Sequence, residues 1–120
     1  MRLYADVPYD YFRTAGNLIF TAGACPLDES GQIAASGDFE TQALWAVENL
    51  IRMLTAAGTD AGALLKTTIY VATSDRSDLV RVWEVMAPRL GRAPSTLLGV
   101  SVLGYRDQLV EIEAVARAKD

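Results

Sequence analysis

Short apolar runs separated by turn residues predict that the chain begins with β-strands. Residues 11–14 and 18–21 are rich in aromatic, β-branched and other apolar side chains. Between them, residues 15–17 (Ala-Gly-Asn) supply the glycine and asparagine that tight hairpin turns favour. We therefore expect an antiparallel pair, followed by a loop of turn residues that extends to Gly37.

Two later segments have apolar residues at helical spacing, which predicts two amphipathic helices. In the first segment, Asp38 is the expected N-cap and Gly58 the expected end. In the second, Asp75 or Ser77 is the expected N-cap, and Gly91 lies just beyond the expected end.

The apolar stripe of the second helix is expected to face the core. Its members are Leu79, Val82, Trp83, Met86 and Leu90. Pro88 is expected to curtail the last turn, because proline lacks the backbone N–H that a helix needs. Each helix then has one apolar surface that another layer must cover.

Three further β-prone segments, residues 64–73, 95–103 and 108–116, complete the pattern. The predicted order β-β-α-β-α-β-β defines an α+β fold with a single sheet and both helices on one face. The other face is expected to be apolar and to be buried by self-association. The residues that suggest this are Leu97, Val102, Leu109 and Val115.

Composition limits the classes of function. The 120 residues, 51% hydrophobic and 22% charged, suit one domain spanning residues 1–120. The net charge is −4 and the Lys and Arg residues are scattered, which argues against nucleic-acid binding. With one cysteine and no histidine, the chain has no internal disulfide, no common Cys/His zinc site and no Ser-His-Asp or Cys-His catalysis. We expect neither a metal nor a cofactor.

Membrane association is not expected either. No apolar run approaches the roughly 18–20 residues of a membrane span. The first residues lack the apolar stretch of a signal peptide, so we expect a cytoplasmic protein.

Four short motifs occur in an order that is typical of one known family. They are residues 23–28 (Gly-Ala-Cys-Pro-Leu-Asp), 66–70 (Lys-Thr-Thr-Ile-Tyr), 93–96 (Ala-Pro-Ser-Thr) and 110–114 (Val-Glu-Ile-Glu-Ala). From about Tyr9 to Arg117 the chain resembles the reactive-intermediate deaminases, the Rid or YjgF family, which are also described as endoribonuclease L-PSP-like. The resemblance implies a chorismate mutase-like fold with a mixed sheet. It also implies a homotrimer that binds small-molecule ligands in clefts between its subunits.

The resemblance assigns the chemistry to one carboxylate. Glu111 matches the glutamate that helps to position the attacking water in the family's imine deaminases. Tyr9 matches the tyrosine that lines their cleft. Ala22 and Gly23 match small residues of the glycine loop, although Ala22 stands where many members have serine. From the strand pattern alone, Glu111 could equally belong to a polar sheet face or to a salt bridge between subunits.

The family's substrate-binding arginine is replaced by Pro94. Proline has no donor for a carboxylate, whereas a guanidinium offers two parallel charge-assisted hydrogen bonds. Thr96 stands where the deaminases often have cysteine. Arg92 lies two residues before Pro94, and we hypothesise that it partly replaces the missing arginine.

Two functions are consistent with these residues. The first is hydrolysis of an imine, an enamine or a related C–N substrate, with a specificity that differs from the 2-imino-acid deaminases. The alternative is a non-catalytic trimer that binds a small molecule or acts as a regulatory or chaperone-like protein. In both, Cys25 is expected to be a buried structural residue, since no histidine can activate it as a nucleophile.

Overall fold

The predicted order of elements is confirmed in the computed structural model. The structure describes residues 1–119, which form five β-strands, two α-helices and a short 3-10 turn at Ala61–Ala63. The strands are β1 (Phe12–Ala15), β2 (Leu18–Thr21), β3 (Leu64–Ala72), β4 (Ser95–Val100) and β5 (Val110–Arg117). The helices are α1 (Phe39–Ala56) and α2 (Arg76–Leu90).

The sheet is mixed, with the strand order β1-β2-β5-β3-β4. Strands β3 and β4 are parallel because α2 crosses over between them, and the other neighbours are antiparallel. Strand β5 lies between β2 and β3, and Ile69 of β3 pairs with Ile112 of β5. This topology places the C-terminal strand at the centre of the sheet.

Both helices cover the same face of the sheet. The side chains of Ile69, Val71 and Ile112 are fully buried on that face and join one core with residues of α1 and α2. The alternate residues of β3 and β5 point to the other face and are only half-buried. The fold is therefore α+β of the chorismate mutase-like type, with one sheet face left open in the single chain.

Helix starts follow the predicted capping chemistry. Asp38 caps α1 by accepting a hydrogen bond from the Thr41 amide at 3.0 Å. Asp75, rather than Ser77, caps α2, and its carboxylate accepts from the Ser77 amide at 2.9 Å. Gly58, with φ of +79°, follows α1 in the left-handed conformation that glycine tolerates.

Two expectations for α2 were wrong. The helix continues through Pro88 to Leu90. Proline has no N–H to donate to the carbonyl one turn earlier. Because Pro88 lies on the exposed side of the helix, water can hydrogen-bond that carbonyl instead. Trp83 is 37% exposed and is not a core residue. Its neighbour Val82 faces the core, and one residue of helix rotates a side chain by about 100°.

The last two strands are shorter than predicted. Strand β4 ends at Val100 and β5 begins at Val110. The loop between them is held by the buried side chain of Gln42, which accepts a hydrogen bond from the Leu109 amide at 2.7 Å and donates to the Asp107 carbonyl at 2.9 Å. These bonds tie the loop to α1, and the Leu109 carbonyl still accepts a hydrogen bond from the Ala72 amide of β3 at 2.8 Å.

The open sheet face is more polar than predicted. Of the four residues predicted for it, Val115 of β5 does lie on this face, where it pairs with Lys66. Leu97 and Leu109 pack against the helix-side core instead, and Val102 is 78% exposed in the loop after β4. Polar residues of β3 and β5 occupy much of the face instead: Lys66, Thr68, Tyr70, Glu111 and Glu113. Within residues 1–119, no helix has the length and apolarity needed to cross a bilayer.

Candidate functional site

The glycine loop lies directly against β5. Ala24 and Ile112 exchange two backbone hydrogen bonds, with N–O distances of 2.6 and 3.1 Å. As a result, Gly23 abuts Glu111, the residue before Ile112. A Cβ atom at Gly23 would lie 2.2 Å from the Oε2 atom of Glu111, which no real contact allows. The loop needs glycine here because the carboxylate occupies the space of a side chain.

Glu111 is held through one of its two oxygens. Its Oε1 atom accepts hydrogen bonds from Gln108 Nε2 at 3.0 Å and from the Cys25 thiol at 3.3 Å. No hydrogen-bond donor to Oε2 is found among residues 1–119. The carboxylate is therefore oriented by one oxygen, while the other remains free to accept a proton from a water or a ligand.

Gln108 connects this carboxylate to the loop before β5. Its side chain is 4% exposed, and its Oε1 atom accepts a hydrogen bond from the Tyr105 amide at 3.0 Å. The Nε2 atom of the Gln108 side chain donates hydrogen bonds to Glu111 Oε1 and to the Val110 carbonyl. Gln108 thus fixes Tyr105 and Glu111 relative to each other.

Two tyrosines line the outer part of the site. The hydroxyl oxygens of Tyr9 and Tyr105 are 3.2 Å apart and form a hydrogen bond. The ring of Tyr9 also meets the ring of Tyr11 edge-on, with 6.0 Å between the ring centroids. Burial, followed by the hydrogen bond to Tyr105, raises the pKa of Tyr9. Tyr9 is therefore a neutral phenol that can donate a hydrogen bond.

These residues enclose a cleft that we call the glycine-loop cleft. It has a volume of about 300 Å³ and is open to solvent. Its lining residues are Tyr9, Ala22, Gly23, Cys25, Gly104, Tyr105 and Glu111. Four of the site residues predicted from the sequence, Tyr9, Ala22, Gly23 and Glu111, are thus brought together in one chain.

Cys25 is buried, as expected, with 7% of its surface exposed. Burial, and after it the negative charge of Glu111, raises the pKa of the Cys25 thiol. The group is therefore a protonated thiol and a hydrogen-bond donor, rather than a thiolate nucleophile. Its contact with Glu111 links residues 86 positions apart, and sequence reasoning missed it.

The remaining predicted residues lie elsewhere, on what we call the β4 segment, residues 92–96. Thr96 lies in β4, the edge strand of the sheet, and Pro94 comes just before it. Strand β3 separates β4 from β5, and neither residue lines the glycine-loop cleft. The Pro94 carbonyl accepts a hydrogen bond from the Thr67 amide at 2.9 Å. Arg92 is exposed, and within the described part of the chain it forms no salt bridge.

A lysine that sequence reasoning passed over is close to this segment. Lys66 Nζ donates a hydrogen bond to the exposed Thr96 hydroxyl at 2.5 Å. The register explains the contact, since Thr96 pairs with Thr68 and side chains two residues apart on a strand share a face. Lys66 rather than Arg92 is thus the cation seen in contact with a predicted ligand-binding residue.

A larger cavity of about 700 Å³ lies at the turn between β3 and α2, away from these groups. Its charged side chains are Asp75 and Arg76, and Asp75 is already engaged in capping α2. The smaller glycine-loop cleft is the better candidate because its carboxylate, phenols and thiol converge on one space.

The mixed sheet, the helix pair on one face and the glycine loop against β5 define a protein of the chorismate mutase-like α+β class. The sequence matches the model of one family, described as Endoribonuclease L-PSP, over residues 1–118. The chain therefore belongs to this family, that of the Rid/YjgF proteins.

Relatives with curated descriptions are similar over most of their length. A RutC family protein of Pyrococcus horikoshii is 34% identical over 110 residues, which cover 91% of this chain and 86% of the relative. TdcF of Escherichia coli K12, whose name assigns it provisionally to the reactive intermediate deaminases, is 29% identical over 114 residues, which cover 91% and 85% of the two chains.

Solved structures are similar as well. The crystal structure of Escherichia coli TdcF with bound serine superposes with a TM-score of 0.83 at 27% identity, covering 98% of this chain and 94% of that one. The Escherichia coli YjgF gene product gives a TM-score of 0.82, also at 27% identity and with the same coverage. The sequence comparison and the structural comparison thus agree on the fold and the family.

Proposed function

We propose that this protein is a hydrolytic deaminase of an imine, an enamine or a related C–N substrate. The observation on which the proposal depends is the Glu111 carboxylate, which has one oxygen held by Gln108 and Cys25 and the other free beside Gly23. An oriented carboxylate at the wall of an open cleft suits a general base. The similarity to TdcF supports the same class of reaction.

The proposed chemistry uses one water molecule. The water adds to the carbon of the C=N bond, and Glu111 Oε2 accepts a proton from it. Glu111 passes this proton to the nitrogen, which gives a carbinolamine. The carbinolamine hydroxyl then gives up its own proton, Glu111 relays that proton to the nitrogen, and ammonia leaves as the carbonyl forms. An imine and water thus give a ketone or an aldehyde and ammonia, without an oxidant or a reductant. The phenols of Tyr9 and Tyr105 and the amides of the glycine loop would orient the ligand.

The proposed site needs a second subunit. The glycine-loop cleft and the β4 segment lie at different places on one chain, although the family resemblance assigns both to ligand binding. The open and partly apolar sheet face, where Phe20 is 45% exposed, offers a surface for self-association. We propose a homotrimer in which the β4 segment of one subunit, with Pro94 and Thr96, completes the cleft of its neighbour.

The substrate is proposed to differ from a simple 2-imino acid. Pro94 provides no donor at the position where the family's deaminases have arginine. Two charge-assisted hydrogen bonds, each worth about 1.5–3 kcal/mol, would be missing for a carboxylate. Arg92 remains the proposed partial substitute for the carboxylate-binding arginine. Lys66, which contacts Thr96, is a further candidate for that role.

A non-catalytic binding protein is the second candidate. The absence of a serine hydroxyl at Ala22 and of a guanidinium at Pro94 removes two ligand contacts that the family's deaminases use. A trimer that binds a small molecule and regulates a partner would retain the cleft without needing turnover.

Ammonia release separates the two candidates. An amino-acid oxidase can generate 2-iminopropionate in situ, and a flavin-dependent amine oxidase can generate benzaldimine, which has no carboxylate. We expect the wild-type protein to accelerate the hydrolysis of benzaldimine, and the Glu111→Gln variant to lose about a hundredfold or more in rate. The matched control is Glu113→Gln, which alters the next glutamate on the same face of β5 and is expected to retain the activity.

The deaminase proposal fails if the wild-type protein accelerates neither reaction. It also fails if Glu111→Gln is as fast as the wild type while circular dichroism shows the same fold. A separate arm addresses Arg92: if the Arg92→Ala variant binds pyruvate, a stable carboxylate analogue, as the wild type does, Arg92 is not the substitute.

A further inference from the structure

The charge of the glycine-loop cleft favours a particular class of ligand. Among the described residues that line it, Glu111 is the one that carries a charge. Neither a lysine nor an arginine of residues 1–119 belongs to that lining. Arg106 follows Tyr105 in the chain but is exposed and lies outside the lining. Within one chain, a carboxylate ligand would thus meet the negative charge of Glu111 without a compensating cation, and in the proposed trimer a cation would come from Arg92 of the neighbour's β4 segment.

The other lining groups also suit a cation. Tyr9 and Tyr105 belong to the lining, and the electron-rich face of an aromatic ring attracts a positive charge that meets it. The free Oε2 atom of Glu111 is an anionic acceptor for an N–H group at the base of the cleft. The net charge of −4 adds a weak long-range attraction of the same sign.

We propose that the glycine-loop cleft recognises a planar, positively charged C–N group, such as a protonated imine or an amidinium, in preference to a carboxylate. This inference depends on the proposed function for its link to turnover. A protonated imine donates an N–H to Glu111 Oε2, and its positive charge makes the carbon more electrophilic toward water. In the hydrolysis, Glu111 takes one proton from the attacking water and gives it to the nitrogen of the carbinolamine. Ammonia leaves and takes up the hydroxyl proton through Glu111, so that a protonated imine and water give a carbonyl compound and an ammonium ion.

Three probes of nearly equal shape test the charge preference without any turnover. Benzamidine is cationic, benzamide is neutral and benzoate is anionic, and all three carry the same ring. Titration of the full-length protein, followed by NMR at the Gly23 and Gly104 amides, gives the affinity and the location of each. We expect benzamidine to bind about tenfold or more tightly than benzamide, and benzoate to bind most weakly, because a charge-assisted hydrogen bond replaces a neutral one.

Two variants show whether the preference comes from Glu111. In Glu111→Gln, the affinity for benzamidine should fall to that for benzamide. In the matched control Glu113→Gln, the preference should remain, since Glu113 hydrogen-bonds Tyr70 and does not line the cleft.

Several outcomes would overturn the inference. They are benzoate binding at least as tightly as benzamide, benzamidine binding that Glu111→Gln leaves unchanged, and no binding of benzamidine. These results are independent of turnover. If benzamidine binds as expected but no imine is hydrolysed, the deaminase proposal fails and the charge preference stands. If 2-iminopropionate is hydrolysed and benzoate is preferred, the deaminase proposal stands and the charge preference fails.

Discussion

The glycine-loop cleft and the β4 segment differ in how firmly their residues are held. In the cleft, the carboxylate of Glu111 has two side-chain donors, and Gln108 ties it to the backbone of the loop. In the β4 segment, Pro94 and Arg92 are exposed, and the contact of Thr96 is with the flexible side chain of Lys66. The proposed base is therefore preorganised in one region. In the other region the backbone is held by β3, but the side chains of Arg92 and Pro94 are exposed within a single chain.

This difference suggests a division in which the glycine-loop cleft carries the proposed reaction and the β4 segment sets the proposed ligand specificity. A buried network tolerates few substitutions, because each donor that is removed leaves a partner unsatisfied. An exposed edge can change its side chains at little cost in stability. The expected replacement of the family's arginine by Pro94 fits this division, since the β4 backbone pairs with β3 from Thr67 to Ala72. The fold and the carboxylate that we propose as the base are retained, while the proposed ligand contacts differ from those expected of the family's deaminases.

Among the comparisons that follow, the largest effect on kcat is expected from a displacement of Glu111, the proposed base, within the cleft. In Gly23→Ala, the new Cβ would overlap Glu111 Oε2, from which it would be 2.2 Å away, so the carboxylate must shift. A displacement of about 1 Å in a catalytic group can cost about a hundredfold in rate. We therefore expect a loss of about that size in kcat for imine hydrolysis, measured by ammonia release.

Gly104→Ala is the matched control for this prediction. Gly104 lines the same cleft, but a Cβ there meets no described atom within 4 Å. We expect nearly wild-type activity from this variant. Equal losses in the two variants would contradict the role given to the contact between Gly23 and Glu111.

Local structure could be predicted from the sequence, whereas most of the network around Glu111 could not. The hairpin and the Asp38 cap depend on residues a few positions apart, so their patterns are visible in the chain. The contact of Cys25 with Glu111 depends on the bridge between Ala24 and Ile112, which only the folded sheet creates.

The errors have a similar origin in tertiary packing. Trp83 matches a helical apolar stripe in sequence, but the width of the buried face of α2 excludes it. Residues 101–103 and 108–109 have a strand-like composition but lie outside β4 and β5, in a loop that Gln42 of α1 hydrogen-bonds at Asp107 and Leu109. Tyr105 and Gln108 lie in that loop. Their place in the site depends on the hydrogen bonds of Gln108 to Tyr105 and to Glu111, which sequence periodicity does not encode. The one signal in the sequence for this network was the closeness of Gln108 to Glu111, which lies three residues further along the chain.

A gain of function tests the β4 segment. Pro94→Arg restores the guanidinium at the position where the family's deaminases have it, and two charge-assisted hydrogen bonds to a carboxylate become available. We expect kcat/KM for 2-iminopropionate to rise by about tenfold or more, with little change for benzaldimine. The comparison of the two substrates by ammonia release separates carboxylate binding from a general change in activity.

Pro94→Lys is the control for geometry, since it adds charge without the bidentate fork. It should give a smaller gain than Pro94→Arg. If neither variant distinguishes the two substrates, the β4 segment does not contribute to the ligand site, and the proposed division between the two regions is wrong.

The smallest effect is expected from the link between the loop and the base. Gln108→Met is similar in shape but removes the donor to Glu111 Oε1 and the acceptor for the Tyr105 amide. An unsatisfied buried N–H costs about 1–3 kcal/mol of the free energy of unfolding. Because the Cys25 thiol still holds Oε1, we expect only about a fivefold loss in kcat, with KM nearly unchanged.

Gln42→Met separates this positioning role from stability alone. Gln42 is also fully buried and accepts a hydrogen bond from the same loop, at the Leu109 amide, but it does not contact Glu111. Denaturant unfolding should show a similar loss of stability in the two variants. Steady-state kinetics below the unfolding transition should show a lower kcat in Gln108→Met only. Equal kcat values in the two variants would mean that Gln108 stabilises the loop without orienting the base.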